Sequence, residues 1–295
     1  MKAAWYEKQG PAREVLRVGE MTAPIPGPGE VRIRMVVSGI NPGDVKKRQD
    51  SLGYGMSYPR VIPHSDGAGY VDQVGDGVAD EWLEQPVWCY GAQSYRPFGT
   101  AAEFSVVPLE QAVRLPESVP MEQGACLGIP GITGHRAVHV AGPVEGRTVL
   151  VQGGAGAVSL CAIQLARRAG AYVITTIRSS SDESGARSAD PDEILLTGEN
   201  LIERIRELVS EGVDHIVEVA VGANIATDIE LLAPGGSLAT YGSDVAFPEI
   251  PVWHFSSWPS SAGANQNKPI SSLLFRCSIR TASIFLGQGL EKFLD

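Results

Sequence analysis

Three glycines, Gly153, Gly154 and Gly156, are the residues whose type and spacing most directly suggest chemistry. They follow a run of β-forming residues over 148–152 and precede a segment with helical periodicity. Glycine lets the chain turn tightly and approach a pyrophosphate, and the start of a helix offers unpaired N–H groups and a partial positive charge. The pattern predicts a phosphate site, and the alternative is a tight turn that binds nothing.

The elements around the glycines strengthen this interpretation. An apolar helix face is predicted, and it contains Val158, Cys161, Ala162, Leu165 and Ala169. Gly170 ends that helix, and a second apolar run over 172–177 predicts the next strand. A strand, a turn, a helix and a strand in succession form one βαβ unit, the context in which a glycine motif binds a dinucleotide. Ser159 stands where a third glycine is usual, a mild departure because serine is small. The predicted phosphate contacts are Gly153, Gly154, Gly156, Ala157 and Val158.

The end of the second strand favours one cofactor over another. An acidic residue at this point usually holds the ribose of NAD(H). Here the strand runs into Arg178 and Ser179, and the first acids, Asp182 and Glu183, come later. A guanidinium and hydroxyl groups suit a 2′-phosphate, so we predict NADP(H). The alternative is that Arg178 is only a solvated loop charge.

Composition narrows the function classes. The chain has 295 residues, a net charge of −10 and a pI of about 5.1, which argues against general binding to nucleic acid or to anionic membranes. The net charge does not exclude a local basic patch, such as the basic run over 46–48. The N-terminus has no secretory pattern, and no apolar run is long enough to span a membrane. The four cysteines are scattered, which favours a reducing, cytoplasmic setting.

Two regions of different character are predicted. Residues 1–125 contain short strands punctuated by proline and glycine, including an alternating segment over 30–36, and predict a small β-barrel domain. From residue 121 strands and helices alternate to about residue 250, which predicts a doubly wound parallel sheet. Ligands bind such sheets beyond the carboxyl ends of the strands. This rule adds Ala220, Gly242 and Ser243 to the predicted cofactor site.

The later elements are less regular. The predicted strands cover 193–196, 214–220 and 237–241, and the predicted helices cover 201–209 and 223–233, with the second helix closed by the turn residues 234–236. Residues 254–272 are rich in Ser, Asn, Pro and Gly and predict a loop or disordered insert. Two further short segments, 273–275 and 283–287, are candidates for a last strand.

Six segments, in order along the chain, resemble the medium-chain dehydrogenase/reductase superfamily, and more narrowly its zinc-free quinone oxidoreductase branch, which includes zeta-crystallin. They are GINPGD at 39–44, IPHSDGAG at 62–69, VGDGV at 74–78, GTAAEF at 99–104, LGIPGIT at 127–133 and LLAPGG at 231–236. Any one of them alone would be weak, and together they are specific. The resemblance covers residues 1–253.

The resemblance implies an α/β protein with two domains and a third, atypical segment. Residues 1–125 would form a GroES-like catalytic domain, residues 126–253 a Rossmann NADP(H)-binding domain, and residues 254–295 an atypical or truncated C-terminal segment holding an insert and a possible last Rossmann strand. Members of this branch use NADPH to reduce quinones and related electron-poor carbonyls or enones, usually as homodimers or tetramers. The active site is expected in the cleft between the domains.

The resemblance also implies that no metal is bound. Zinc-dependent relatives carry a cysteine where this chain has Asn41 and a histidine where it has Ser65, and a zinc site needs three or four protein ligands. His135 and His139 are spaced for one helix face, but no further ligand accompanies them in the sequence.

Catalytic residues are assigned by the same resemblance. It places Asn41, Asp44 and Thr133 near the nicotinamide, and Tyr54 at the acceptor pocket. Asn41 could hold the carboxamide or polarise an acceptor oxygen, or it could be a simple turn residue before proline. Tyr54 could stack on a quinone, donate a proton or lie on a surface loop. Asp66 is expected to be structural, and no general acid is evident. The alternative function is an NADPH-binding relative, or a truncated variant, without activity.

Overall fold

A computed structural model describes residues 1–51, 53–94, 96–198, 200–243, 245, 249 and 278–281. The chain forms two compact units, unit 1 from Met1 to Ile132 and unit 2 from Thr133 to Asp295. Within the described residues, no helix combines the length and the apolar character that a membrane span requires.

Unit 1 is built mainly from antiparallel strands. A two-stranded sheet pairs β1 with β2, and a five-stranded sheet has the order β6-β3-β4-β5-β7. The strands are β1 Lys2–Trp5, β2 Arg17–Glu20, β3 Glu30–Gly39, β4 Asp66–Val74, β5 Pro86–Cys89, β6 Phe104–Pro108 and β7 Ala112–Arg114. The helices are α1 Ala12–Val15, α2 Pro42–Gln49 and α3 Met121–Gly124.

The alternating segment predicted over 30–36 is the first part of β3. Val31 and Ile33 are fully buried in the core of unit 1 because alternate side chains of a strand share one face. The strand continues to Gly39, and two register shifts against β4 let it bend. Helix α2 follows shortly after this strand, with Asn41 as its N-cap. The β-rich composition of the region did not predict this helix.

Unit 2 contains a six-stranded sheet in which every recorded pairing is parallel. Its order is β10-β9-β8-β11-β12-β13, which counted from the first strand is 3-2-1-4-5-6, the order of the Rossmann fold. The strands are β8 Thr148–Val151, β9 Tyr172–Ile177, β10 Glu193–Leu196, β11 Val213–Glu218, β12 Leu232–Thr240 and β13 Ser278–Thr281. The helices are α4 Ile129–His139, which crosses the boundary in sequence, α5 Ala157–Arg168, α6 Glu183–Arg187, α7 Leu201–Leu208 and α8 Val221–Leu231. The prediction of a β domain followed by a parallel α/β sheet is confirmed.

Three details of unit 2 differ from the prediction. Strand β12 begins at Leu232, so the turn residues 234–236 lie inside it. Between two paired positions, four residues of β12 lie opposite one residue of β11, so the predicted turn forms a bulge within the strand. The last strand in the described part of the chain is β13. The segments expected to form the last strand lie outside the described residues, as does the predicted insert over 254–272.

The buried face of α5 is the third difference. Its fully buried residues are Ser159, Ala162, Ile163 and Ala166, shifted from the predicted stripe. Ala162, Ile163 and Ala166 share one core cluster with residues of β8, β9 and α4, so the helix is covered on more than one side. A stripe derived from apolar residues alone therefore excluded Ser159, although it is buried.

Candidate functional site

The glycine turn between β8 and α5 depends on two glycines. Gly153 has φ of +69°, in the left-handed region that favours glycine. A Cβ at Gly154 would overlap the hydroxyl of Thr175. The turn is closed by Gly156 N–H donating to the Gly153 carbonyl at 3.0 Å and by Gly154 N–H donating to the Thr176 carbonyl at 2.7 Å. These contacts fix the turn, and because it lacks side chains at the three glycines a ligand can approach its backbone closely.

Helix α5 begins immediately after this turn. Gly156 is its N-cap in extended backbone, and Ala157 is its first residue. Both are exposed, and Val158 is half-buried. The N–H groups of a first helical turn have no carbonyl partner within the helix, so this end can receive an anion. The predicted phosphate contacts therefore meet at one point of the structure.

Ser159 secures this helix start from below. Its hydroxyl donates to the Gln152 carbonyl at 3.0 Å and lies 3.2 Å from the Tyr241 hydroxyl. The residue at the third motif position thus joins the ends of β8 and α5, a contact that glycine cannot make.

The residues predicted to recognise a 2′-phosphate lie at the carboxyl end of β9. Arg178 and Ser179 follow the strand and are exposed. Within the described part of the chain, no acidic side chain pairs with the Arg178 guanidinium. The Ser179 hydroxyl lies 2.8 Å from that of Ser181. This end of the sheet offers a free cation and hydroxyl groups.

The ends of β11 and β12 approach the same turn. Ala220 follows β11, and Gly242 and Ser243 follow β12. Val221 N–H donates to the Gly242 carbonyl at 3.3 Å, which joins the two strand ends. A Cβ on Gly153 would lie 3.2 Å from the Val219 side chain, so the glycine turn packs beside them. The structure brings these predicted residues together.

Polar residues beneath the turn were missed by the sequence analysis. Gln152 and Thr176 are buried, and the Thr176 hydroxyl donates to Gln152 Oε1 at 2.5 Å and accepts from Gly153 N–H at 3.2 Å. They look like ordinary strand-end residues in the sequence. The only signal was a polar side chain at the end of each of two buried strands.

A second polar cluster lies in unit 1, around Asn41 at the start of α2. Asn41 is 5% exposed, and its backbone N–H donates to Asp44 Oδ2 at 2.8 Å. Its side-chain amide donates to Asp66 Oδ2 at 2.8 Å, and the same oxygen accepts from Ile129 N–H at 2.8 Å. Asn41 is therefore a turn residue and also the partner of a buried carboxyl group.

Asp66 is the most perturbed group of this cluster. It is 0% exposed, and its Oδ1 atom has no hydrogen-bond partner within the described residues. Burial raises the pKa of Asp66 to about 7, against the two hydrogen bonds from Ile129 and Asn41, which lower it. Burial also raises the pKa of Asp44. Near neutral pH the cluster therefore carries less negative charge than its two acids suggest.

His64 and Lys47 border these acids and were not predicted. His64 has φ of +75°, unusual for a residue with a side chain, and its Nδ1 atom lies 2.8 Å from the Ser38 hydroxyl. Burial lowers the pKa of His64, and the negative charge of Asp44 opposes this shift. Lys47 donates to Gln93 Oε1 at 3.0 Å, and burial lowers the pKa of Lys47.

Two further predicted site residues, Tyr54 and Thr133, differ sharply in solvent exposure. Tyr54 is 85% exposed, and Thr133 is buried on α4. An exposed aromatic ring is available to a ligand, whereas a buried threonine can contact one only through a small part of its surface. Their roles stay predictions.

The positions where relatives hold zinc carry poor ligands here. Asn41 directs its amide nitrogen to Asp66, and Ser65 is a buried hydroxyl without a hydrogen-bond partner in the described residues. Among the described residues, no group of three or more His, Cys, Asp or Glu side chains could hold a metal ion. These donors do not fit a zinc ion, which prefers thiolate, imidazole and carboxylate ligands.

Known proteins share both units. Residues 27–117 match the alcohol dehydrogenase GroES-like domain, and residues 157–257 match the family described as zinc-binding dehydrogenase. Mouse quinone oxidoreductase is 33% identical over 245 residues, which are 80% of this chain and 71% of the mouse protein. A mycobacterial protein solved in complex with NADPH is 27% identical, with a TM-score of 0.75 over 87% of this chain and 78% of that chain. An NAD-dependent alcohol dehydrogenase is 26% identical, with a TM-score of 0.78 over 95% of this chain and 84% of that chain.

Fold, site and similarity therefore define a class of protein, a two-domain dehydrogenase/reductase with a GroES-like unit and a Rossmann unit. The chain belongs to the medium-chain dehydrogenase/reductase superfamily, in its quinone oxidoreductase branch. It is an oxidoreductase by family.

Proposed function

We propose that this protein transfers a hydride from NADPH to a quinone or another electron-poor carbonyl or enone, without zinc. The observation that carries the proposal is the carboxyl end of the unit 2 sheet. An open glycine turn and a helix N-terminus lie there, together with Arg178, which has no acidic partner among the described residues. This arrangement matches a dinucleotide that bears a third phosphate.

The cofactor would be held by residues of four strand ends. Gly153, Gly154, Gly156, Ala157 and Val158 would receive the pyrophosphate, Arg178 and Ser179 the 2′-phosphate, and Ala220, Gly242 and Ser243 the remaining edge. When bound, NADPH supplies the hydride, and the protein supplies binding and orientation. The mycobacterial relative with NADPH supports this choice, whereas the relative that uses NAD shows that similarity of fold does not decide it. Arg178 is the residue on which the choice depends.

The acceptor side would use residues of unit 1. One N–H of the Asn41 amide donates to Asp66, so the second N–H can donate to an acceptor oxygen as negative charge develops there. Asp44 fixes the backbone of Asn41 and thereby its orientation. Tyr54 offers an exposed ring for stacking on a flat acceptor. Asn41 and Ser65 lack zinc-ligand chemistry, so polarisation of the acceptor would rest on hydrogen bonds.

The described cysteines are free, which agrees with a reducing, cytoplasmic setting.

The test begins with cofactor affinity. NADPH and NADH are titrated by nucleotide fluorescence against the wild type and the Arg178→Ser variant. Loss of charge-assisted hydrogen bonds to a phosphate costs about 1.5–3 kcal/mol, so the Kd for NADPH should rise about ten- to hundredfold while that for NADH changes little. Arg168→Ser removes another exposed arginine, at the far end of α5, and should leave both values unchanged.

Turnover is then measured as NADPH oxidation with an ortho-quinone and with an enone, before and after treatment with a chelator. Turnover of at least one acceptor that survives the chelator is expected. Tight NADPH binding without turnover would replace this proposal with a non-catalytic NADPH-binding protein. Equal loss of NADH and NADPH affinity in Arg178→Ser would remove the basis for the cofactor assignment.

A further inference from the structure

Two acidic side chains lie completely buried behind the glycine turn. Glu218, at the end of β11, and Asp228, on α8, are both 0% exposed. Burying one carboxylate is costly, and burying two together without a cation is costlier still. No cation is paired with either acid within the described residues. Their persistence in the core calls for a hydrogen-bonded arrangement.

A chain of hydrogen bonds connects Asp228 to the turn. Gln152 Nε2 donates to Asp228 Oδ1 at 2.8 Å, and Gln152 Oε1 accepts from the Thr176 hydroxyl at 2.5 Å. The Thr176 oxygen in turn accepts from Gly153 N–H at 3.2 Å. Three contacts thus join helix α8 to the residue that opens the turn, and the Gln152 side chain can satisfy them in only one orientation.

The two acids differ in their hydrogen-bond donors. Asp228 Oδ2 is buried and has no donor within the described residues, whereas Glu218 accepts from Ala220 N–H and from Asn224 Nδ2 at 3.1 and 3.2 Å. Burial, and then the negative charge of Glu218, raise the pKa of Asp228 to about 9. A protonated Asp228 can donate to a Glu218 oxygen, and this hydrogen bond also raises the pKa of Asp228.

Removal of that proton would disturb the turn in two ways. Two adjacent buried carboxylates repel each other. Asp228 accepts from Gln152 only in its position beside Glu218, so this repulsion would weaken the hydrogen bond to Gln152. The additional negative charge would also lie behind a turn that receives phosphate groups. The other titratable group at this cluster is Tyr241, whose pKa burial raises.

We propose that Asp228 is a positioning residue for the cofactor, which in its protonated form holds Gln152 and Thr176 and thereby sets the glycine turn for NADPH. The proposal rests on the proposed function, because it concerns the same cofactor. It adds that cofactor affinity depends on one buried proton behind the glycine turn.

The test compares NADPH affinity between pH 7 and pH 10 in the wild type, Asp228→Asn and Asp228→Ala. Asparagine can accept from Gln152 and donate to Glu218 as the protonated acid does, so its Kd at pH 7 should stay within about twofold of the wild type. Asp228→Ala removes one buried hydrogen bond to Gln152 and should raise the Kd about three- to tenfold. The wild-type Kd should rise about tenfold toward pH 10, and that of Asp228→Asn should not follow it.

Glu230→Gln, an exposed acid on the same helix, is the matched control and should retain the wild-type profile. Circular dichroism of each apo protein separates folding from binding. If Asp228→Ala does not fold, the pH profile of Asp228→Asn still tests the proposal. If the Kd for NADPH changes with pH in the same way in the wild type and in Asp228→Asn, the role proposed for Asp228 is overturned, while the proposed function stands. Failure of the wild type to bind NADPH at pH 7 would overturn the proposed function as well.

Discussion

The buried carboxyl group of Asp66 should make the stability of unit 1 depend on pH, in a direction opposite to that of most acids. The folded protein keeps its proton up to about pH 7, whereas the ordinary pKa of the group is 3.8. Unfolding therefore releases a proton between these values, and stability falls as the pH rises. A difference of about three pKa units corresponds to about 4 kcal/mol in full, of which about 2.5 kcal/mol falls between pH 5 and pH 7.5.

The perturbation is Asp66→Asn. An asparagine oxygen can accept from Asn41 and Ile129 as Oδ2 does, and its NH₂ group can take the place of the unpartnered Oδ1. The variant keeps the contacts but has no proton to release. Relative to the wild type it should gain about 2.5 kcal/mol from pH 5 to pH 7.5, which is about 1 M in urea midpoint.

The assay is urea unfolding followed by tryptophan fluorescence, for which Trp5, Trp82 and Trp88 lie in unit 1. Asp76→Asn changes an exposed acid of the same unit and should show the wild-type dependence on pH. The reasoning is refuted if the wild type and Asp66→Asn keep a constant difference across this range, or if the wild type gains on the variant as the pH rises.

Two further substitutions test the turn and the acceptor side. Gly154→Ala should destabilise unit 2 by about 1–3 kcal/mol and weaken NADPH binding, because its Cβ would overlap a buried threonine hydroxyl. Gly185→Ala on α6 should be neutral or slightly stabilising, because its Cβ would lie 3.7 Å from the Ala155 Cβ, an ordinary van der Waals contact. Thermal unfolding and cofactor titration measure both variants, and equal effects would argue against the close contact at Gly154. Tyr54→Ala should raise the KM for an ortho-quinone about two- to tenfold at unchanged NADPH affinity, because it removes the exposed ring proposed to stack on the acceptor. Tyr54→Phe keeps the ring and should behave as the wild type in steady-state kinetics. A loss of kcat in the phenylalanine variant would instead assign Tyr54 a proton-donating role.

The succession of strands and helices in unit 2 could be predicted along the chain because period and turn chemistry are local. The glycine turn, β10 and the helix start after Gly156 follow from residues adjacent in sequence. The bulge in β12 could not be predicted, because it depends on register against β11, a contact between strands that are distant in sequence. The start of α2 was hidden for a related reason, since Asn41 before proline predicts a turn as readily as a helix cap.

The polar residues behind both clusters escaped prediction for a different reason. Gln152, Thr176 and Asp228 come from a strand end, another strand and a helix, and acquire meaning only when their side chains meet. His64 belongs to a matched segment, yet its left-handed backbone and its contact with Ser38 are invisible in the sequence. A linear pattern reports backbone requirements well and side-chain networks poorly.

The hydroxyl of Ser159 has a consequence for how this chain can change over evolutionary time. Replacing it with the more familiar glycine would leave the Gln152 carbonyl without its side-chain donor and would remove a neighbour of the Tyr241 hydroxyl. Glycine is also a poorer helix former than serine, by about 0.5 kcal/mol. The substitution that restores the common motif should therefore be deleterious in this background. Because the Gln152 acceptor is a backbone carbonyl, the contact that mutation can change is the one with the Tyr241 side chain, so Ser159 and Tyr241 would be inherited together as an epistatic pair.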